Sequence, residues 1–103
     1  MRTTPEEAAL RAEHAIKEAA ERLLPHGSLY LFGSRARGTA GRRSDFDLAI
    51  LPKAGFSQRE SLEFAEALDR SPAIIYKIDL VDWAEASKEL RERIHKEGIL
   101  WKN

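Results

Sequence analysis

The chain of 103 residues contains no cysteine, a single methionine and no formal net charge, its 17 basic side chains being matched by 17 acidic ones. Without thiols there is no disulfide framework, no thiolate zinc centre and no cysteine nucleophile, which fits a reducing compartment and removes redox chemistry from consideration. The balanced charge excludes a generic nucleic-acid coat and a polybasic membrane anchor, because both work through a large positive field. No apolar run approaches the roughly 20 residues of a membrane span, and the first residues, Met1 to Glu7, carry no apolar signal segment. A soluble cytoplasmic protein without membrane contact is the expectation. The length matches one compact domain over residues 1–103, with a modest core and no room for a separate substrate-recognition domain. Specificity beyond one site is therefore expected from a partner.

What is present reads as alternating helices and strands. Thr4-Pro5-Glu6-Glu7 supplies an N-cap, a proline at the first helical position and an early glutamate. Ala9, Ala12, Ile16, Ala19 and Leu23 follow at three- and four-residue steps, which predicts an amphipathic helix ending near Leu24-Pro25. Leu29 to Phe32 is a short apolar run that suits a buried strand, stopped by Gly33. Asp45 to Leu51 predicts a second strand, with Phe46, Leu48 and Ile50 on one face and Asp45, Asp47 and Ala49 on the other. Ser57-Gln58-Arg59-Glu60 reads as a capping box opening a helix through Leu62, Ala65 and Leu68. Ile74 to Val81 is rich in β-branched residues and predicts a third, central strand. Asp82 can cap the next helix, which carries Leu90 and Ile94 inward and stops at Gly98, leaving Ile99-Leu100-Trp101 for a final strand. The fold class is α/β (α+β), a small mixed sheet flanked by helices.

Three groups of residues carry chemistry. Gly33-Ser34-Arg35-Ala36-Arg37-Gly38 turns sharply after a buried strand, and a Gly-Ser pair opening a helix presents free N–H groups and a hydroxyl suited to phosphate oxygens. From Arg35 to Arg43 there are four positive charges and no negative one. Alone, this loop reads equally as a flexible turn with solvated arginines. Asp45-Phe46-Asp47 weighs against that, because residues two apart on a strand place Cβ atoms about 7 Å apart on one face. Two carboxylates there repel unless a cation lies between them, and oxygen donors select Mg²⁺ or Mn²⁺ over zinc. A bare D-x-D also fits an exposed strand edge. Asp79, between Ile78 and Leu80, is costly inside a hydrophobic strand unless paired or metal-bound, and a third carboxylate there would give a cluster able to hold two metals about 4 Å apart. A strand-end acid bonded to a nearby base accounts for it as well. Asp82 competes for the role, although helix capping explains it better.

Taken together, Gly33-Ser34, Arg35, Arg37-Gly38, Ser44-Asp45-Phe46-Asp47-Leu48 and Ile78-Asp79-Leu80-Val81 resemble the signature of the DNA polymerase beta-type nucleotidyltransferases, most of all the minimal nucleotidyltransferase (MNT) family. The resemblance runs from about Leu29 to Val81 and extends to the closing Glu97-Gly98-Ile99-Leu100. It implies the nucleotidyltransferase fold and a nucleotide site formed by Gly33, Ser34, Arg35, Arg37, Gly38 and Ser44. It also implies Asp45, Asp47 and Asp79 as metal-ligating and catalytic residues, two Mg²⁺ ions with Mn²⁺ as an alternative, and ATP as substrate. Asp79 would help deprotonate the attacking hydroxyl. Many members of the family are antitoxins paired with a HEPN-domain protein, and some move AMP from ATP onto a tyrosine of that partner. The resemblance thus implies a hetero-oligomer with a HEPN-domain or other helical substrate-binding protein. The alternative is a non-catalytic nucleotide-binding antitoxin or subunit that acts by direct contact.

The remaining residues read more plainly. His14, His26 and His95 have no metal-site spacing. Trp83 and Trp101 fit a partner anchor and a cover over the core edge equally. Arg91, Arg93 and Lys96 read as a solvated helix face.

Overall fold

The computed structural model describes residues 3–103. Helix α1 spans Pro5–Leu23, β1 Gly27–Phe32, α2 Gly33–Arg37, β2 Phe46–Pro52, α3 Gln58–Arg70 and β3 Ile78–Asp82. A single 3-10 turn at Trp83–Glu85 leads into α4, Lys88–Glu97, and β4, Ile99–Lys102. The sheet order is β3-β2-β1-β4. β1 is antiparallel to both β2 and β4, whereas β2 and β3 run parallel, so α3 is the crossover that a parallel pair requires.

Helix α1 starts as its sequence dictates, with the Thr4 hydroxyl accepting from the Glu7 N–H at 3.1 Å and Pro5 in the first turn. It buries Ala12, Ile16, Ala19 and Ala20. With Phe64 and Leu68 of α3 these cover one face of the sheet, where Leu29, Leu31, Phe46, Leu48 and Ile50 point. The opposite face carries a smaller cluster of Phe32, Ala49 and Ile94, joined by Tyr30, Val81, Trp83 and Leu90. The alternation along β2 is the expected one.

Several expectations are corrected. β3 begins at Ile78 rather than Ile74 and lies at an edge rather than in the centre. Ile74 and Tyr76 spend their apolar surface on the wall of the main core, outside the sheet, while Ile75 is 74% exposed. Asp79 is accordingly exposed rather than buried. In α3 the inward face is Phe64 and Leu68, with Leu62 and Ala65 turned out. The Ser57 capping box does not form: the Glu60 carboxylate instead accepts from the His26 backbone N–H and pairs with His26 Nδ1, each at 2.9 Å. Burial alone would raise the Glu60 carboxyl, but these bonds to His26 outweigh it and hold the group below the usual range. Asp82 caps the 3-10 turn through the Ala84 N–H at 3.0 Å, and Ser87 caps α4 through Leu90 at 3.1 Å.

Both tryptophans cover core edges. Trp101 packs on the main core with the Lys17 ammonium 5.1 Å from its ring centre, and Trp83 joins the α4-side cluster under Arg91. Lys102 is buried, at 7% exposure, and its ammonium donates to the carbonyls of Leu24 at 2.5 Å and Gly27 at 3.0 Å. It thereby ties β4 to the junction of α1 and β1. Among the described residues no helix is long and apolar enough to cross a membrane.

Candidate active site

Register builds the site. Asp47 pairs with Asp79 across the parallel β2–β3 ladder, so both side chains leave the same face of the sheet. Asp45 lies two residues before Asp47, at the mouth of β2, where the Phe46 N–H reaches the Lys77 carbonyl. On the other flank Asp47 is paired with Phe32, the last residue of β1, and the chain turns at Gly33 beside it. Thus three carboxylates and the glycine loop converge at one end of the sheet.

Gly33 has φ +76°, and a Cβ built on it would stand 2.9 Å from Asp47 Cγ and 3.1 Å from Asp47 Cβ. Left-handed backbone and direct contact with an acid both exclude a side chain here. We expect Gly33→Ala to lower stability by at least about 1–2 kcal/mol, the cost of placing an L-residue in this backbone region, as read from denaturant unfolding. Gly38, φ +78°, closes α2 as a left-handed cap, its N–H donating to the Ser34 carbonyl.

The acids feel one another. The Asp47 carboxyl is raised above its usual value, first by burial, then by the negative charges of Asp79 and Asp45, with Arg93 and Arg37 partly offsetting the rise. Asp45 stands 4.0 Å from the Lys77 ammonium, with both groups well exposed. Among the described residues no three histidine, aspartate or glutamate side chains are already gathered into a metal cage. The donor set nevertheless fits a divalent cation: its oxygens are hard donors, and the mutual repulsion registered at Asp47 is what a cation relieves.

Structure redistributes the arginines. Arg35 is occupied: its Nε and Nη donate to the Ser44 carbonyl at 3.0 and 2.8 Å, and its guanidinium lies 4.2 Å from the Phe46 ring centre and 4.7 Å from that of Tyr76. It clamps the loop to β2. The Ser44 hydroxyl likewise accepts from the Gly41 N–H at 2.8 Å, shaping the same loop. Arg37 pairs with Glu97 at 2.8 Å. Arg91 donates to the carbonyls of Trp83 and Ala84 at 2.9 and 2.8 Å, so it belongs to the 3-10 turn and not to a solvated face. Arg93 keeps the exposed position read for it, while it pairs with Glu97 at 3.0 Å and its guanidinium lies 5.8 Å from the Phe32 ring centre. Arg93 and Glu97, spaced by four on a helix that ends in Glu-Gly, stand beside the loop that follows Phe32. A cleft of about 650 Å³ opens beside Asp45, lined by Arg42, Arg43, Lys77, Tyr76 and the start of α1.

Residues 14–102 match the model of the family described as polymerase beta, nucleotidyltransferase. The chain belongs to this nucleotidyltransferase family. Over 83 residues it is 37% identical to a Haemophilus influenzae protein named "Probable protein adenylyltransferase MntA", an alignment covering 79% of this chain and 70% of that one. Among solved structures, a toxin–antitoxin crystal structure with AMP-PNP superposes with a TM-score of 0.68 at 31% identity, covering 86% of this nucleotidyltransferase and 71% of that chain. A complex of the tri-AMPylated Shewanella oneidensis HEPN toxin with its MNT antitoxin gives a TM-score of 0.63 at 26% identity, covering 91% and 71%. The four-stranded mixed sheet with its flanking helices is thus the nucleotidyltransferase fold.

Proposed function

We propose that this nucleotidyltransferase is a Mg²⁺-dependent protein adenylyltransferase that moves AMP from ATP to a hydroxyl of a HEPN-domain partner, as the antitoxin of a HEPN/MNT pair. The observation that carries the reading is the register pairing Asp47 with Asp79 beside the Gly33 turn. The similarity to a protein named as an adenylyltransferase, and to a complex whose HEPN toxin is AMPylated, supports AMP as the group and a HEPN protein as the acceptor.

Each residue takes a part in that chemistry. Gly33 lets the chain approach the triphosphate closely, and Ser34 and the N–H groups of α2 donate to phosphate oxygens. Arg35, Ser44 and Gly38 hold the loop in shape, while Arg37 faces the phosphates with donors that Glu97 leaves free. Asp45, Asp47 and Asp79 would hold Mg²⁺, which when bound neutralises phosphate charge and acidifies the acceptor hydroxyl. Asp79 takes the acceptor proton as the hydroxyl oxygen bonds to the α-phosphorus. The bond from that phosphorus to the bridging oxygen breaks, and pyrophosphate leaves with the electron pair. Exposure of Asp79 on an edge strand suits this role, since the acceptor arrives on another protein.

Phosphate recognition is tested by calorimetry with Mg²⁺ present. ATP should bind more tightly than adenosine, and Ser34→Ala should weaken ATP more than adenosine. Equal affinity of the unmutated protein for both would remove the phosphate site from this loop.

A further inference from the structure

Arg37 and Arg93, both exposed, share one carboxylate. Glu97 is only 14% exposed, whereas the arginines are 46% and 56% exposed. Arg37 reaches Glu97 Oε2 through Nη1 and Arg93 reaches Oε1 through Nε, so one carboxylate fixes two guanidinium groups from two different helices. Each guanidinium has five N–H donors, and these bonds leave most of them available. Their location is informative. Arg37 belongs to α2, the helix that follows Gly33, and Arg93 lies over Phe32, the residue before Gly33 and the cross-strand partner of Asp47.

We propose that Arg93 is a further triphosphate-binding residue, held beside Arg37 by Glu97 so that the two arginines grip the phosphates that leave as pyrophosphate. Glu97 is then a positioning residue: it carries no bond to the nucleotide but orders two flexible side chains before the ligand arrives, which lowers the entropy lost on binding. Planar guanidinium forks suit this use because they bind phosphate oxygens in pairs. The inference rests on the nucleotide reading of the site given above, and it deepens that reading by adding α4 to the phosphate-binding elements.

Calorimetry on the full chain with Mg²⁺ separates the two. Arg93→Ala should weaken ATP about tenfold, the order of one charge-assisted hydrogen bond, and weaken AMP less than about twofold. Arg59→Ala, which removes an exposed arginine paired with Glu63 on α3, should change neither. If Arg93→Ala leaves the ATP-to-AMP ratio of the unmutated protein intact, whether affinities stay or fall together, the assignment of Arg93 is overturned while the nucleotide reading stands. If the unmutated protein itself fails to prefer ATP to adenosine, the nucleotide reading falls first and this inference with it.

Discussion

Replacing Asp47 with asparagine is expected to abolish nucleotidyl transfer while leaving the protein folded, with a melting temperature at or above that of the parent. The loss follows from position: Asp47 stands between Gly33 and Asp79 and is the one acid of the three set within the sheet between β1 and β3. The retained or increased stability follows from charge. Burial together with Asp79 and Asp45 raises the Asp47 carboxyl, so the folded state holds its proton to higher pH than the unfolded chain does. Where that difference exists the folded state binds more protons, and stability falls as pH rises from the ordinary aspartate value through the raised one. Above that window the ionised group is a net cost, which asparagine removes. Thermal unfolding at neutral pH, followed alongside a labelled-nucleotide transfer assay, reads both effects. A folded Asp47→Asn protein with full Mg²⁺-dependent activity would overturn the role given to this residue.

Asp79→Asn is expected to separate binding from chemistry. The glycine loop and the Asp45/Asp47 pair still hold the triphosphate, so ATP affinity with Mg²⁺ should stay near that of the parent. Transfer should fall by at least about a hundredfold, the usual scale for loss of a general base, because a tyrosine hydroxyl keeps its proton to pH of about 10 and a serine hydroxyl far beyond. Since Asp79 is exposed on the edge strand, the substitution removes no core contact, and a loss of activity cannot be traced to unfolding. Parallel calorimetry and partner labelling on this variant make the distinction. ATP affinity and transfer dropping by the same factor would mean that Asp79 serves binding and not proton removal.

Sequence periodicity and capping chemistry located most elements because they are local: Thr4-Pro5 sets the start of α1, Gly33 ends β1, and Gly98 separates α4 from β4. The spacing of the acid pair was legible for the same reason, although β2 begins at Phe46 and Asp45 stands just before it rather than on it as expected. What escaped depends on contacts distant in sequence. Ile74 to Tyr76 looked like strand because apolar β-branched residues suit a sheet and a core wall alike, and only packing decides between them. The burial assigned to Asp79 failed with it, since edge position is a property of strand order. Glu60 left its capping box for His26, 34 residues away, and Lys102 found carbonyls at the far end of the chain. That Phe46 and Tyr76 bracket the Arg35 guanidinium is likewise hidden from any local pattern. Arg93 and Glu97 form an ordinary i,i+4 pair, and its link to Arg37 exists only once α4 packs beside α2.

In the proposed function the face of Asp45, Asp47 and Asp79 transfers AMP to a partner protein. Incubating the protein with a purified HEPN-domain partner, Mg²⁺ and ATP labelled at the α-phosphate tests it most directly, with Asp47→Asn run in parallel and neutralisation of the partner's toxicity scored in cells for both. Label should enter a partner hydroxyl with the unmutated protein, Asp47→Asn should transfer none, and this variant, folded and still bound to the partner, should no longer neutralise it. A partner that stays unlabelled yet is neutralised equally by both proteins would mean that contact alone does the work and that AMP transfer is not the mechanism.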